Sequence, residues 1–267
     1  MKFVLLAVAL LLSINSHAWT QRPNAQPLAC AAHVPYGMPQ VQKADATLIC
    51  RQGYFLLHDN QAKHAAWVAW VIMPQLVNGC WPRTNAFTVD QALGPKSARP
   101  DDYAGTGYDK GHVANDAHQS WDEQVEYESF LMSNMMPQLP GLNRGIWKLL
   151  ETATGAWTFD SQAPHLIYAG PVYNAATDKK IGAGRVNVPY GFYKIVVNTR
   201  TGNTLAFLFP HAENQGNDLT VVQTTVAEVE RVTGVTFPVP GNRAVKEPLW
   251  PINFANVAAN KKQVCKR

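Results

Sequence analysis

Apolar positions fall in short runs at Tyr54 to Leu57, Trp67 to Met73, His165 to Tyr168, Phe192 to Asn198 and Thr204 to Phe209. Runs of that length, rich in β-branched and aromatic residues, predict strands. The polar stretch Asn198-Thr199-Arg200-Thr201-Gly202-Asn203 between the last two predicts a hairpin turn. Helical signals are fewer. Thr225-Val226-Ala227-Glu228 has the capping-box pattern and Gly234 is a stop signal. A second helix is predicted from about Leu142 to Thr152 and a third over Glu123 to Phe130. Strands with helices inserted between them predict an α+β fold centred on a sheet.

The N-terminus stands apart from this pattern. Lys2, an apolar run from Phe3 to Leu12 and the small-residue pattern Ser16-His17-Ala18 have the layout of a secretory signal peptide, with Trp19 as the expected first mature residue. The run is shorter than the ~20 residues a membrane-spanning helix needs. Residues 19–267 contain no repeat, no low-complexity tract and no linker, so a single domain with a basic C-terminal tail is expected. The expected location is therefore outside the cytoplasm, periplasmic or extracellular. Cys30, Cys50, Cys80 and Cys265 form an even set, which in an exported chain predicts two disulfides with three pairings open. None sits in a Cys-x-x-Cys pair, which argues against zinc-ribbon and thioredoxin-type sites. The formal net charge of +4 includes Lys261, Lys262, Lys266 and Arg267, so the rest is close to neutral. That balance neither supports nor excludes a polyanionic partner.

Candidate chemistry is concentrated between Tyr108 and Glu151. His112, after Lys110 and Gly111, is a candidate general base because imidazole titrates near working pH. On the helix predicted from Leu142, Asn143 and Glu151 are eight residues apart and share one side, with Trp147 between them. An amide oxygen is a hard neutral ligand suited to Mg²⁺, which keeps most of its waters. Asn134, between an apolar run and Pro137, either positions His112 or satisfies a turn. His112, Asp116 and His118 raise a zinc alternative, although their spacing matches no closed zinc motif. Arg83, Arg99, Lys110 and Arg144 are the basic residues near the site in sequence.

Three segments together resemble a known family: Asp109-Lys110-Gly111-His112, Ser133-Asn134-Met135-Met136-Pro137-Gln138, and Leu142-Asn143-Arg144-Gly145-Ile146-Trp147 with Leu150-Glu151. In that order they closely resemble the DNA/RNA non-specific endonucleases of the ββα-metal finger class. The likeness extends to Gly170-Pro171-Val172-Tyr173, to Val188 through Lys194 and to the helix near Thr225, and covers roughly Tyr54 to Pro238. It implies a mostly antiparallel central sheet with helices packed around it. It also implies His112 as the base that activates water, Asn143 as the direct protein ligand of Mg²⁺ (Mn²⁺ a substitute), and Asn134 as a residue that orients the site. Glu151 would hold water on the metal. Arg83, Lys110 and Arg144 would contact substrate. Lys110 departs from the family, which has arginine there, and a lysine offers no bidentate fork.

The function implied is hydrolysis of DNA and RNA phosphodiesters without sequence preference, by one metal and a histidine base, leaving 5′-phosphates. Two alternatives remain open on sequence: a non-catalytic secreted protein binding nucleic acid or other polyanions, and a zinc phosphoesterase using His112, Asp116 and His118.

Overall fold

Seven strands build the centre of the molecule: β1 (Ala46–Cys50), β2 (Phe55–Asp59), β3 (His64–Ile72), β6 (His165–Val172), β9 (Gly191–Asn198), β10 (Thr204–Pro210) and β11 (Gln223–Thr224). They lie in the order β1-β2-β3-β6-β9-β10-β11, and every neighbouring pair is antiparallel. The computed structural model describes residues 27–255 apart from 78 and 175–178. The expected signal peptide and Cys265 lie outside the described residues. Within them, Cys30 and Cys50 are joined with Cα atoms 5.8 Å apart, and Cys80 is also disulfide-bonded.

The strands read as nearly continuous apolar runs because both faces of the sheet are covered, which is unusual for an antiparallel sheet. Side chains alternate between two cores. Trp70, Val68, Ile167, Phe192 and Val196 pack in one cluster; Trp67, Ala69, Leu166, Tyr168, Tyr193 and Ile195 pack in the other. The first core is closed by α3 (Lys148–Ser161) through Leu150, Ala153 and Trp157. The second is closed by α4 (Val226–Thr233) through Val226 and Val229, together with Phe237. Each large apolar side chain fully buried this way contributes roughly 1.5–3 kcal/mol.

The helix signals translate unevenly. Thr225 caps α4 by accepting from the Glu228 N–H at 3.1 Å, while the Glu228 carboxylate turns to Arg231 instead of completing the box. Gly234 ends α4 in the left-handed conformation, φ +68°, which glycine adopts without penalty. The third helix is α1 (Glu123–Ser129), capped by Asp122.

The helix expected from Leu142 to Thr152 is instead α2 (Pro140–Leu142), a wide turn over Asn143–Trp147 broken at Gly145, and then α3. α3 runs nine residues past the expected stop. Thr152, Thr154, Gly155 and Thr158 have poor intrinsic helix propensity, and burial of Ala153, Ala156 and Trp157 overrides it. The hydroxyls of Thr154 and Thr158 bond back to the carbonyl four residues earlier.

A two-stranded ribbon outside the main sheet was not signalled by the pattern. β4 (Asp109–His112) pairs with β5 (Met135–Gln138) in antiparallel register, Asp109 opposite Gln138 and His112 opposite Met135. The Gln138 side chain crosses Gly111 so closely that a Cβ there would stand 2.0 Å from its Oε1. Glycine before His112 is therefore a packing requirement of the ribbon. Ribbon and following helix together form a ββα unit. Among the described residues no helix is long and apolar enough to cross a membrane.

Candidate active site

His112 closes β4 and is held from three directions. Its backbone pairs with Met135, and its carbonyl accepts from the Trp147 indole N–H at 3.3 Å. Its ring stands edge-on to Phe130 with centroids 4.6 Å apart, and tilted to Phe87 at 5.7 Å. The residue is 7% exposed, and Nε2 is enclosed with no hydrogen-bond partner. Burial among these rings pushes the pKa down to about 4, the Asp116 carboxylate opposing that shift and Arg83 adding to it. The imidazole is consequently neutral at ordinary pH, as a general base must be.

Asn134 sits behind the histidine rather than in the cleft. Its Nδ2 donates to the Ala114 and Ser129 carbonyls, both at 2.8 Å, and its Oδ1 accepts from the Ala114 N–H at 2.9 Å. It therefore fixes the chain two residues after His112 without contacting the imidazole. Its neighbour Ser133 donates to Asp90 at 2.6 Å, and Asp90 is paired with Arg51 in a fully buried ion pair. The start of β5 is thus moored to the interior.

Asn143 lies at the end of α2, not in the first turn of a longer helix, and its own N–H is spent on the Leu139 carbonyl. Its Nδ2 donates to Asp109 Oδ2 at 2.9 Å. Asp109 also takes both arms of the Arg144 guanidinium, at 2.8 and 2.6 Å, and these two partners outweigh desolvation and hold its carboxyl below the usual range. The Asp109 carboxylate, which only accepts, faces the nitrogen end of the Asn143 amide. The oxygen is left unspent and available to a cation.

Glu151 reaches the same cleft from α3. Burial raises its pKa to about 7, and the Lys194 ammonium, 3.4 Å away, pulls in the opposite direction. Lys194 is 1% exposed. On β9 it alternates with Phe192 and Val196, which places it on the α3 face, and its Nζ stands 3.9 Å from the Trp147 ring centroid. The Glu151 carbonyl meets His118 Nε2 at 3.1 Å, and His118 Nδ1 meets the Trp70 indole N–H.

A cleft of about 570 Å³ brings these groups together, lined among others by Arg83, Lys110, His112, Asp116, Asn143 and Glu151. Arg144 and Lys148 are at its edge. Arg83 Nη1 is 2.6 Å from Asp116, and the guanidinium lies 4.8 Å over the Phe130 ring. Lys110 Nζ lies 5.0 Å over Phe87. Arg144, expected as a substrate contact, is exposed at the rim and bound to Asp109. Lys194 escaped the sequence reading as a site residue, although a lone lysine inside the apolar run Gly191–Asn198 was a usable signal.

The donor set bears on which metals would fit. Among the described residues there is no group of three His, Cys, Asp or Glu side chains that could hold an ion. Both nitrogens of His118 are engaged, so the zinc arrangement of His112, Asp116 and His118 is not formed. The Asn143 amide and the Glu151 carboxylate, both lining the open cleft, instead suit a hard cation that retains its waters.

Comparison with known proteins agrees with this geometry. The chain is 27% identical to human mitochondrial endonuclease G over 76% of this chain and 71% of that protein. It is 32% identical to a nuclease of Nostoc sp. over 72% and 73% respectively. A solved chain from the crystal structure of an EndoG/EndoGI complex superposes with a TM-score of 0.71 at 25% identity, covering 80% of this chain and 92% of that one. The model of the DNA/RNA non-specific endonuclease family matches residues 33–243. With the ββα unit and its cleft built as described, the chain belongs to the DNA/RNA non-specific endonuclease family, whose members are metal-dependent nucleases.

Proposed function

We propose that this protein is an exported, Mg²⁺-dependent endonuclease that hydrolyses both DNA and RNA and leaves 5′-phosphate ends. The observation that carries the reading is the meeting, in one cleft, of an unpartnered neutral imidazole, an oriented amide oxygen and a carboxylate, with two cations beside them. Asn143 and Glu151 are the residues that would hold the ion. When bound, Mg²⁺ would neutralise charge that builds on the phosphoryl oxygens and the departing 3′ oxygen.

The chain's own residues do the rest. His112 takes a proton from water as the water oxygen attacks phosphorus. Arg83 and Lys110 place the phosphate and meet its growing negative charge. Contacts of this kind go to backbone phosphate rather than base edges, which supports a lack of sequence preference and action on both nucleic acids. The signal-like N-terminus and the disulfides support export.

Digestion of supercoiled plasmid, single-stranded DNA and RNA, with and without chelator and with end-group analysis, tests the reading. Cleavage of all three, abolished by EDTA and yielding 5′-phosphates, is expected. Intact nucleic acid at every metal concentration would leave only a binding protein.

Lys110 gives a second test. Among the described residues no carboxylate pairs with it, and Asp109 beside it is neutralised by Arg144, so its charge is available to substrate. Lys110→Ala should depress kcat more than it raises KM, because only contacts that strengthen in the transition state raise the rate. Lys110→Arg should be tolerated, a guanidinium gripping two oxygens where an ammonium is a point charge. Wild-type kinetics for Lys110→Ala at low and high salt would remove the residue from the site.

A further inference from the structure

Among the described residues the cleft has two acidic side chains in its lining, Glu151 and Asp116, and the proposed chemistry leaves Asp116 unused. It stands four residues after His112, at the start of a short 3-10 turn (Asp116–His118), with a side chain 23% accessible. Its partner is Arg83, at 2.6 Å. The same Arg83 lies over one region of Phe130, and His112 abuts that ring edge-on. Base and cation therefore share a single aromatic side chain, and the carboxylate is paired to that cation. The charged groups facing His112 are Arg83 and Asp116, and their fields on the imidazole oppose each other. Lys110, over Phe87, is the next cation along the cleft. On the far side, Asp116 also acts on Glu151, which is paired with Lys194.

Arg83 donates through Nε to Asn85 Oδ1 at 2.8 Å and through Nη1 to Asp116, so a two-point grip on phosphate by this guanidinium competes with one of these contacts. A phosphodiester is the stronger competitor, since it offers two charged oxygens and arrives with a second cation, Lys110, already beside it. Movement of the guanidinium toward phosphate separates the pair. The carboxylate then stands beside His112 without its counter-ion, at the moment when His112 is about to acquire positive charge in an enclosed, weakly screened setting.

We propose, building on the nuclease reading above, that Arg83–Asp116 is a substrate-operated relay: phosphate binding draws Arg83 off Asp116, and the released carboxylate stabilises the imidazolium of His112. Asp116 is thus a positioning residue acting through His112. The proton balance is complete with water alone. One proton moves from the attacking water to His112 as the P–O bond forms. The P–O3′ bond breaks with its electron pair going to O3′, which takes a proton from solvent, and His112 returns its own proton to solvent.

The relay predicts a specific split in kinetics. Asp116→Asn keeps the shape of the turn and releases Arg83 permanently. Substrate should then bind as well or better, while the imidazolium loses its support. The expectation is a kcat on plasmid DNA lowered about tenfold or more at saturating Mg²⁺, with KM unchanged or reduced, the signature of a lost transition-state contact combined with relief of a ground-state cost. Asp116→Glu, which preserves the charge, should recover most of the turnover.

Steady-state kinetics of wild type, Asp116→Asn and Asp116→Glu decide the matter, with thermal melting to show that each is folded. Turnover of Asp116→Asn within twofold of wild type would overturn the relay. So would a raised KM with kcat intact, which marks a tether for Arg83 and nothing more. A joint loss in both parameters that Asp116→Glu does not restore would mark local collapse and overturn it equally. His112→Ala, assayed alongside, separates this inference from the reading beneath it. If that variant still cleaves, the histidine-base mechanism fails whatever Asp116 does; if it is inactive and Asp116→Asn is normal, only the relay fails.

Discussion

Replacing His112 by alanine is expected to lower turnover by the ~10² to 10⁴ that loss of a general base costs, while binding of DNA in Mg²⁺ persists. Arg83 and the residues proposed to hold the metal are on other elements, and Lys110, on the same strand, keeps its own side chain in the variant, which is why binding and chemistry should separate. His112→Asn belongs in the same experiment, because truncation leaves a hole between Phe87 and Phe130 and the asparagine fills more of it.

The pH dependence sharpens this expectation. His112 has its pKa pushed down to about 4, so it is already neutral and competent as a base above roughly pH 5 and adds no acid limb there. Glu151 has its pKa raised to about 7, so its carboxylate is ionised above that pH and protonated below it. Metal binding that needs the Glu151 carboxylate should therefore weaken as pH drops through about 7, because the ion must displace a proton. Lys194 opposes the rise of that pKa, so Lys194→Met should move this loss of metal binding to higher pH. Near-wild-type cleavage by His112→Asn, or Mn²⁺ affinity unchanged down to about pH 5, would contradict these assignments.

The sheet was legible because its strands are buried on both faces and therefore read as apolar runs. β4 and β5 were not, since Asp109-Lys110-Gly111-His112 and Met135-Met136-Pro137-Gln138 carry neither alternation nor strand propensity. Their pairing is imposed from outside, by Asn134, the Trp147 indole and the packing of Gln138 over Gly111. The far end of α3 was hidden for a related reason: threonines and a glycine argue locally for a stop, while the sheet beneath argues for continuation.

In the site, the candidates carried by motifs were legible in the sequence, whereas Lys194 was not singled out and Asp116 was named only as a zinc ligand. His112, Asn143 and Glu151 share one cleft as expected from their segments. Lys194 and Asp116 matter through partners 43 and 33 positions away, Glu151 and Arg83. No local spacing encodes such a pair. Asn134 shows the converse, a motif residue whose place in the structure is to brace the backbone behind the histidine.

Asn143→Ala should leave the enzyme inactive at any practical concentration of Mg²⁺ or Mn²⁺, and should abolish the metal binding that wild type shows. The amide supplies a neutral oxygen in the cleft that also holds Glu151, and its orientation depends on Asp109, whose carboxylate holds Nδ2 at 2.9 Å. Removing the amide therefore removes the ligand itself, while Asp109 retains Arg144 and the fold is little disturbed. Titration of Mn²⁺ into the full-length protein, followed by electron paramagnetic resonance in the absence of nucleic acid, reads the metal site independently of turnover. Wild type should bind the ion, and Asn143→Ala should not. Asn143→Asp is informative in a different way. It restores an oxygen ligand but loses the donor to Asp109 and sets two carboxylates against each other, so it should bind Mn²⁺ and still cleave more slowly than wild type. Wild-type turnover in EDTA, or unaltered Mn²⁺ binding by Asn143→Ala, would show that the cation is held elsewhere or not needed.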